Sequence, residues 1–336
     1  MPELRKDAVS GRWVIISTER SKRPSAFVNK PSEKINPDTK CPFCAGNEAM
    51  TPPEVLSYRG EGSQKDKEGW WIRVVPNKFP ALRIEEDAGR AGDGMYDKMN
   101  GVGAHEVIIE TPKHDLFMAD MNYDQISEVI WAYRDRIIEL RKDDRFRYIL
   151  IFKNHGREAG ASLDHPHSQL IALPIIPKRV QEELAGSLKY WEYKERCVYC
   201  DIVHQEQKDG KRIVYENDHF ISTMPFASRF PYESWILPKV HDPFFHDITK
   251  TEVLNLAKCL KDMMWRIKEV LGDPPLNFVL HTTPFGYDQC QSYHWHIEIM
   301  PKLTQVAGFE WGTGFYINPT TPEDAAEELK KVKPSF

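Results

Sequence analysis

Six segments recur in the same order in the two halves of this chain, and that recurrence restricts its fold more than any other feature. The first half runs CPFC (41–44), NKFPAL (77–82), VIIETPKH (107–114), an amphipathic helix, YILIFKNHG (148–156) and HPHSQLIALP (165–174). The second runs CVYC (197–200), NDHFIST (217–223), SWILPKVH (234–241), another amphipathic helix, FVLHTTP (278–284) and HWHIEIMP (294–301). The spacing agrees as well: 51 residues separate His114 from His165, and 53 separate His241 from His294. A period of this kind is the mark of one supersecondary unit used twice. The expected fold is α+β: two copies of an antiparallel sheet backed by a helix, residues 1–185 and 186–336, with the sheets joined across the repeat.

The elements follow from periodicity. Residues 123–140 put Ile126, Val129, Ile130, Tyr133, Ile137 and Ile138 on one helical face, and residues 251–270 do the same with Val253, Leu256, Leu260, Met263, Met264 and Ile267. Thr321 followed by Pro322 predicts a helix start, with the helix running over 322–332. Strands are expected at 13–17, 70–75, 105–111, 147–152, 168–173, 234–238, 276–280 and 296–300. Residues 83–103, rich in Gly, Asp and Glu, read as a mobile loop.

A chain of 336 residues with 41% apolar content can fill two cores. The net charge of −5 advertises no nucleic-acid partner. No run of about 18 apolar residues predicts a membrane span, and the stretch MPELRKDAVSGRW lacks the apolar core of a secretory signal. A cytoplasmic protein is expected, in which six cysteines are metal ligands or thiols before they are disulfides.

A lone CxxC is ambiguous between zinc, redox chemistry and accident. Here each copy is followed by a His after a Pro-Lys pair and by a His before the terminal strand. Two matched sets result: Cys41, Cys44, His114 and His165, then Cys197, Cys200, His241 and His294. Two thiolates and two imidazoles suit a closed tetrahedral Zn2+ site. A thioredoxin-like reading is weaker, since neither CxxC is expected to open a helix in a βαβ setting. Reduced core cysteines beside surface histidines remain the plain alternative. Cys259 reads as core, and Cys290 has no assigned role. His167, two residues beyond His165, faces the same way on extended chain and is left free for chemistry.

The blocks GRWVIISTERSKRP (11–24), CPFCAGN (41–47), NKFPAL, FKNHGREAGASLDHPHSQ (152–169) and HWH resemble the galactose-1-phosphate uridylyltransferase family of the histidine-triad superfamily, over nearly the whole chain. The resemblance implies two histidine-triad-like units and a nucleotidyltransferase working by ping-pong exchange. His167 would be the nucleophile on a nucleotide-sugar, forming a covalent nucleotidyl-histidine, with a sugar 1-phosphate as the second substrate. It implies that Gln169 and Ser162 serve the phosphoryl oxygens, and that Asn154 and Gly160 let backbone approach phosphate. By the same resemblance Arg20 and Arg23 reach the nucleotide across a homodimer, Asn77 meets the nucleoside, and Glu310 and Asn318 fall near the hexose. Solvated charge is the alternative for the two arginines. UDP-glucose with a hexose 1-phosphate is the first substrate reading. The GFEWGTGFYIN ending (308–318) and the doubled CxxC also resemble relatives that act as ADP-glucose phosphorylases, and a zinc-stabilised binding protein without catalysis is the third reading. Glu298 standing in the place of Gln169 makes the second copy silent. Some relatives hold iron there, for which Glu183, His281 and His296 are the candidates.

Overall fold

The computed structural model describes residues 1–22, 40–287 and 290–334. In chain order the strands are β1 (Glu3–Lys6), β2 (Trp13–Ile16), β3 (Leu56–Arg59), β4 (Trp70–Pro76), β5 (Ala91–Asp93), β6 (Tyr96–Lys98), β7 (Ala104–Ile109), β8 (Tyr148–His155), β9 (His167–Leu173), β10 (Ile213–Glu216), β11 (Phe220–Thr223), β12 (Ser234–Pro238), β13 (Leu276–His281), β14 (His296–Pro301) and β15 (Tyr316–Asn318). The helices are α1 (Tyr123–Leu140), α2 (Lys178–Lys194), α3 (Val198–Asp209), α4 (Lys250–Leu271), α5 (Gly308–Thr313) and α6 (Pro322–Lys331).

Ten strands make one antiparallel sheet in the order β10-β11-β12-β14-β13-β8-β9-β7-β4-β3. Each half has the same internal order, its last two strands exchanged, and the halves join where β8 pairs β13. The expected α+β architecture is therefore present. Helices α1 and α4 pack together on one face over a single core. Their apolar stripes explain this: Ile126, Val129, Ile130, Tyr133 and Ile137 of α1 and Val253, Leu256, Leu260, Met263, Met264 and Ile267 of α4 are all buried. Removing such side chains from water is the main driving force, about 2 kcal/mol for each. Asn122 caps α1, and Thr249 with Glu252 forms a capping box on α4.

The opposite face of the sheet is covered differently in the two halves. Over the first half lies the CPFC turn, with Phe43 packed on Trp70, Val75, Val107 and Ile109. Over the second lie α2, α3 and the N-terminal segment, with Tyr199, Tyr293, Trp235 and Val9. A Cβ on Gly186 of α2 would stand 1.8 Å from the Val9 carbonyl oxygen, so only glycine lets that segment approach. Strands β1, β2 and β15 form a separate sheet, fixed to the second half where Arg5 and Arg212 share Glu323.

One expectation is corrected. Residues 83–103 include the β5–β6 hairpin and a bridge between Arg83 and Val102. Its strands are exposed and polar, so no hydrophobic alternation announced them. Cys197 is the N-cap of α3, so the second CxxC does open a helix, though against an antiparallel sheet. Helices α2 and α3 went unread because they bury few apolar residues; residue 185 lies inside α2, whose Glu183 meets the second half. No described helix is long and apolar enough to cross a membrane.

Candidate active site and metal centres

Strand β9 begins at His167, two residues after His165. The His167 Nδ1–H donates to the His165 carbonyl at 2.7 Å, which leaves Nε2 as the nitrogen with a free lone pair. The ring is 5% exposed, and burial holds its pKa below the usual histidine value. The imidazole is thus neutral at physiological pH. Phe43, between the two cysteines, packs edge-on against it with centroids 5.3 Å apart.

Pairing of β7, β8 and β9 assembles the rest. On β7 the alternate residues His105, Val107 and Ile109 face the same side as Ile171, Gln169 and His167 opposite them. The Ala81 N–H donates to His105 Nδ1 at 3.1 Å, so the ring proton sits on Nε2. That Nε2–H donates to Gln169 Oε1 at 2.9 Å. The Asn77 amide nitrogen stands 3.1 Å from the same ring nitrogen, while its oxygen accepts from Phe79 N–H. Asn154 is held from the other half of the molecule: Asn277 Nδ2 donates to Asn154 Oδ1 at 2.8 Å and to the Ala159 carbonyl at 2.9 Å. Gly160 closes the short turn at Arg157–Ala159 with φ +90°, a conformation that favours glycine. Ser162 is exposed in the turn that follows.

Beneath the strand, on the helix side, lies a buried polar network. Lys153 Nζ donates to Glu110 at 2.7 Å and to the His167 carbonyl at 3.0 Å. Glu110 also accepts from Ser168, which contacts Tyr133 at 2.6 Å.

Not every expected residue joins this group. Arg20 is exposed on the turn Thr18–Lys22 after β2, and Arg23 lies outside the described residues. Glu310 caps its own helix through Ala307 N–H. Asn318 lies apart from the group as well: it is fully buried, its amide donates to Ser228 and to the Phe230 carbonyl, and its oxygen accepts from Thr320 N–H, so that it pins β15.

Both Cys-Cys-His-His sets come together, with their ligand atoms within 4.8 Å of one another. In the first, Cys44 Sγ lies 3.4 Å from His114 Nδ1 and 3.6 Å from His165 Nδ1. In the second, Cys200 Sγ lies 3.6 Å from His241 Nδ1 and 3.7 Å from His294 Nδ1. Around a tetrahedral zinc the sulfur–nitrogen edge is about 3.6 Å. The imidazole planes cross at 84° in the first set and 86° in the second, so their in-plane lone pairs can meet at one point. His165 Nε2–H donates to the Thr111 carbonyl at 2.7 Å, freeing Nδ1. The donor sets therefore fit the metal.

A third group, Glu183, His281 and His296, is distinct from the second cysteine set, so the two are not rival readings of one centre. Its geometry is different. His281 and His296 stack with centroids 4.7 Å apart and planes at 6°, and lone pairs lying in parallel planes do not converge. Glu298 is taken by Arg229 at 2.7 Å, and Glu183 accepts from Tyr293. This arrangement is an ion-paired stack and does not fit a chelated iron. His296 repeats His167, with its Nδ1–H on the His294 carbonyl and Tyr199 in the place of Phe43. It is sealed at 1% exposure behind Tyr199, Tyr293 and Trp235, all buried.

His105, Asn277, Lys153 and Glu110 escaped the sequence reading. Only His105 left a signal, its even spacing from Val107 and Ile109 along β7.

A sheet built from two like halves, one carrying His167 under Phe43 and the other His296 under Tyr199, is the frame of a nucleotidyl-transferring enzyme. The family model for the galactose-1-phosphate uridyl transferase N-terminal domain matches residues 1–177, and that of a domain of unknown function matches 103–333. The chain is 39% identical over 98% of its length to an ADP-glucose phosphorylase of Arabidopsis thaliana, covering 93% of it. It is 32% identical to a galactose-1-phosphate uridylyltransferase of Thermotoga maritima, with 99% of each covered. The crystal structure of an Arabidopsis thaliana ADP-glucose phosphorylase with bound ADP-glucose superposes with a TM-score of 0.85 at 37% identity, over 99% of this chain and 100% of that one. This chain belongs to the galactose-1-phosphate uridyl transferase family.

Proposed function

We propose that the chain transfers a nucleotidyl group from a nucleotide-sugar to a second phosphate through His167. The observation that carries this reading is the hydrogen bond from His167 Nδ1–H to the His165 carbonyl, which leaves the buried Nε2 as the nitrogen with a free lone pair, on the same face of β9 as Gln169. Nε2 attacks the α-phosphorus; the bond to the sugar 1-phosphate oxygen breaks, and the sugar 1-phosphate leaves. The nucleotide stays on Nε2 until an acceptor phosphate oxygen displaces the imidazole. The Gln169 amide nitrogen, with Ser162 Oγ, donates to the charge developing on the phosphoryl oxygens. Asn154 and the Gly160 turn receive the phosphates, and Asn77 the nucleoside.

On the family's pattern the donor is UDP-glucose and the acceptor a hexose 1-phosphate such as galactose 1-phosphate, which makes the enzyme a uridylyltransferase. The 39% identity to an ADP-glucose phosphorylase favours a second reading, adenylyl transfer from ADP-glucose to inorganic phosphate. Zn2+ in the two cysteine sets acts as a structural clamp. Cys41 and Cys44 would hold Phe43 against His167, and His165 would fix the start of β9. The units 1–185 and 186–336 are read as an active and a silent copy. Arg20 and Arg23 are assigned to the active site of a second copy in a homodimer, and Glu310 to the hexose.

Intact-protein mass spectrometry after brief incubation with UDP-glucose or ADP-glucose tests this. A UMP adduct cleared by galactose 1-phosphate supports the first reading, and an AMP adduct cleared by phosphate the second. His167→Ala keeps its fold and metal and forms neither adduct. His165→Ala loses the first metal and much of its stability. Normal turnover by His167→Ala would refute the mechanism, and full metal content in His165→Ala the ligand assignment.

A further inference from the structure

We infer that His105 is a positioning residue for the transfer step: it dictates which end of the Gln169 amide faces the reacting phosphate. The inference rests on the proposed role of His167 and extends it to a residue that does not touch substrate.

The argument is one of donors and acceptors. Gln169 carries an amide with one acceptor end and one donor end of nearly equal size. If the oxygen faced a phosphoryl group, two negative ends would meet. If the nitrogen faces it, the phosphate gains a donor. Nothing in the glutamine itself selects between the two orientations, so a neighbour must. On strand β7, His105 lies two pairs along the ladder from Gln169, diagonal to it on the same face of the sheet. Its tautomer is set by the main chain: Ala81 N–H can only donate, and it points at Nδ1 from 3.1 Å. The ring proton is therefore on Nε2. Two side chains lie within reach of that proton. The Asn77 atom at 3.1 Å is an amide nitrogen, itself a donor, since the Asn77 oxygen is engaged by Phe79 N–H. The Gln169 Oε1 at 2.9 Å is the remaining acceptor. Gln169 thus turns its oxygen to His105, which leaves its NH2 free of that contact, and His167 lies two residues before it on the same face of β9. The fixed point at the far end of this chain is backbone, so the orientation is set before substrate arrives. Preorganised donors of this kind are the effective ones, because they need no rearrangement as charge develops.

The same contacts link the 77–82 segment to Gln169. Ala81 holds one nitrogen of the imidazole, while Asn77, itself held by Phe79 N–H, lies against the other nitrogen, which also holds the Gln169 amide. A nucleoside seated on that segment and the phosphate donor therefore share one rigid connection.

A double-mutant cycle on the rate of nucleotidyl-enzyme formation tests the assignment, with the full-length protein, UDP-glucose and ADP-glucose as donors, and quenched-flow mass spectrometry as the readout. Gln169→Ala is expected to slow adduct formation about 100-fold. His105→Leu, which removes the donor and keeps the bulk, is expected to slow it about tenfold. In the Gln169→Ala background the His105→Leu change should cost less than about twofold, because there is no amide left to orient. His105→Gln places an amide nitrogen where Nε2 was and should return the rate to within about threefold of the unmodified protein. Full additivity of the two losses, or His105→Gln no better than His105→Leu, would show that His105 acts only through general packing and would overturn the inference. Failure of the unmodified protein to form an adduct would overturn the His167 mechanism first, and this inference with it. An adduct formed normally, followed by an additive cycle, removes this inference alone.

Discussion

Lys153→Met probes the floor of the proposed active site. Lys153 is 2% exposed and Glu110 is fully buried; their 2.7 Å ion pair sits on the helix side of the sheet under His167. Removing one partner of a buried pair leaves a charge in a medium that solvates it poorly, at a cost of about 3–5 kcal/mol. Glu110 keeps its contacts to Ser168 and Tyr133, which moderates the loss, so about 3 kcal/mol is expected. At about 2.1 cal/mol/K of unfolding entropy per residue, the 336-residue chain loses roughly 4 °C in Tm. The neutral pair Lys153→Met with Glu110→Gln should recover most of that, since no bare charge remains. Lys153 also donates to the His167 carbonyl, so adduct formation should stay slowed in the recovered double variant. Calorimetry and the adduct assay on the three proteins decide the matter. A single variant as stable as the starting protein, or a double variant less stable than the single, would refute the reasoning.

Three further outcomes are expected. Asn277→Ala, in the second half, should slow adduct formation about tenfold without lowering Tm by more than about 2 °C, because two neutral hydrogen bonds, to Asn154 and to the Ala159 carbonyl, are lost; an unchanged rate would remove Asn154 from the site. Glu183→Gln should leave the metal content at two per chain by inductively coupled plasma mass spectrometry, and a drop from three to two would show that the His281–His296 stack does chelate. Glu323 is held below the usual glutamate range: burial opposes this, and Arg212 and Arg5 outweigh it. A lowered carboxyl pKa contributes stability above the unfolded value near 4.5 that disappears as pH falls through the folded value. Glu323→Gln should thus cost about 1 kcal/mol at pH 7 and progressively less as pH falls through the folded value; a cost that does not change with pH would rule out the ion pairs.

Much of the molecule was fixed by local pattern. The helices α1 and α4 were readable because a 3.6-residue stripe needs no knowledge of its partner. The repeat gave two like halves, which the structure joins in one ten-stranded sheet, and the paired CxxC and His motifs gave two donor sets, because ligand type and order survive in a linear string. His167 stood out because a four-ligand centre had already claimed His165. Tertiary structure decided the remainder, and for one reason: the register of strands far apart in sequence determines what each side chain meets. Register put His105 beside Gln169 and brought Asn277 from the other half onto Asn154. It crossed the imidazoles of the cysteine sets near 85° and laid His281 flat on His296, although all six are simply histidines in the sequence. The burial of Asn318 and the sealing of His296 follow from how α2, α3 and the N-terminal segment cover the second half, and coverage of that kind is a property of packing that no single stretch of residues carries.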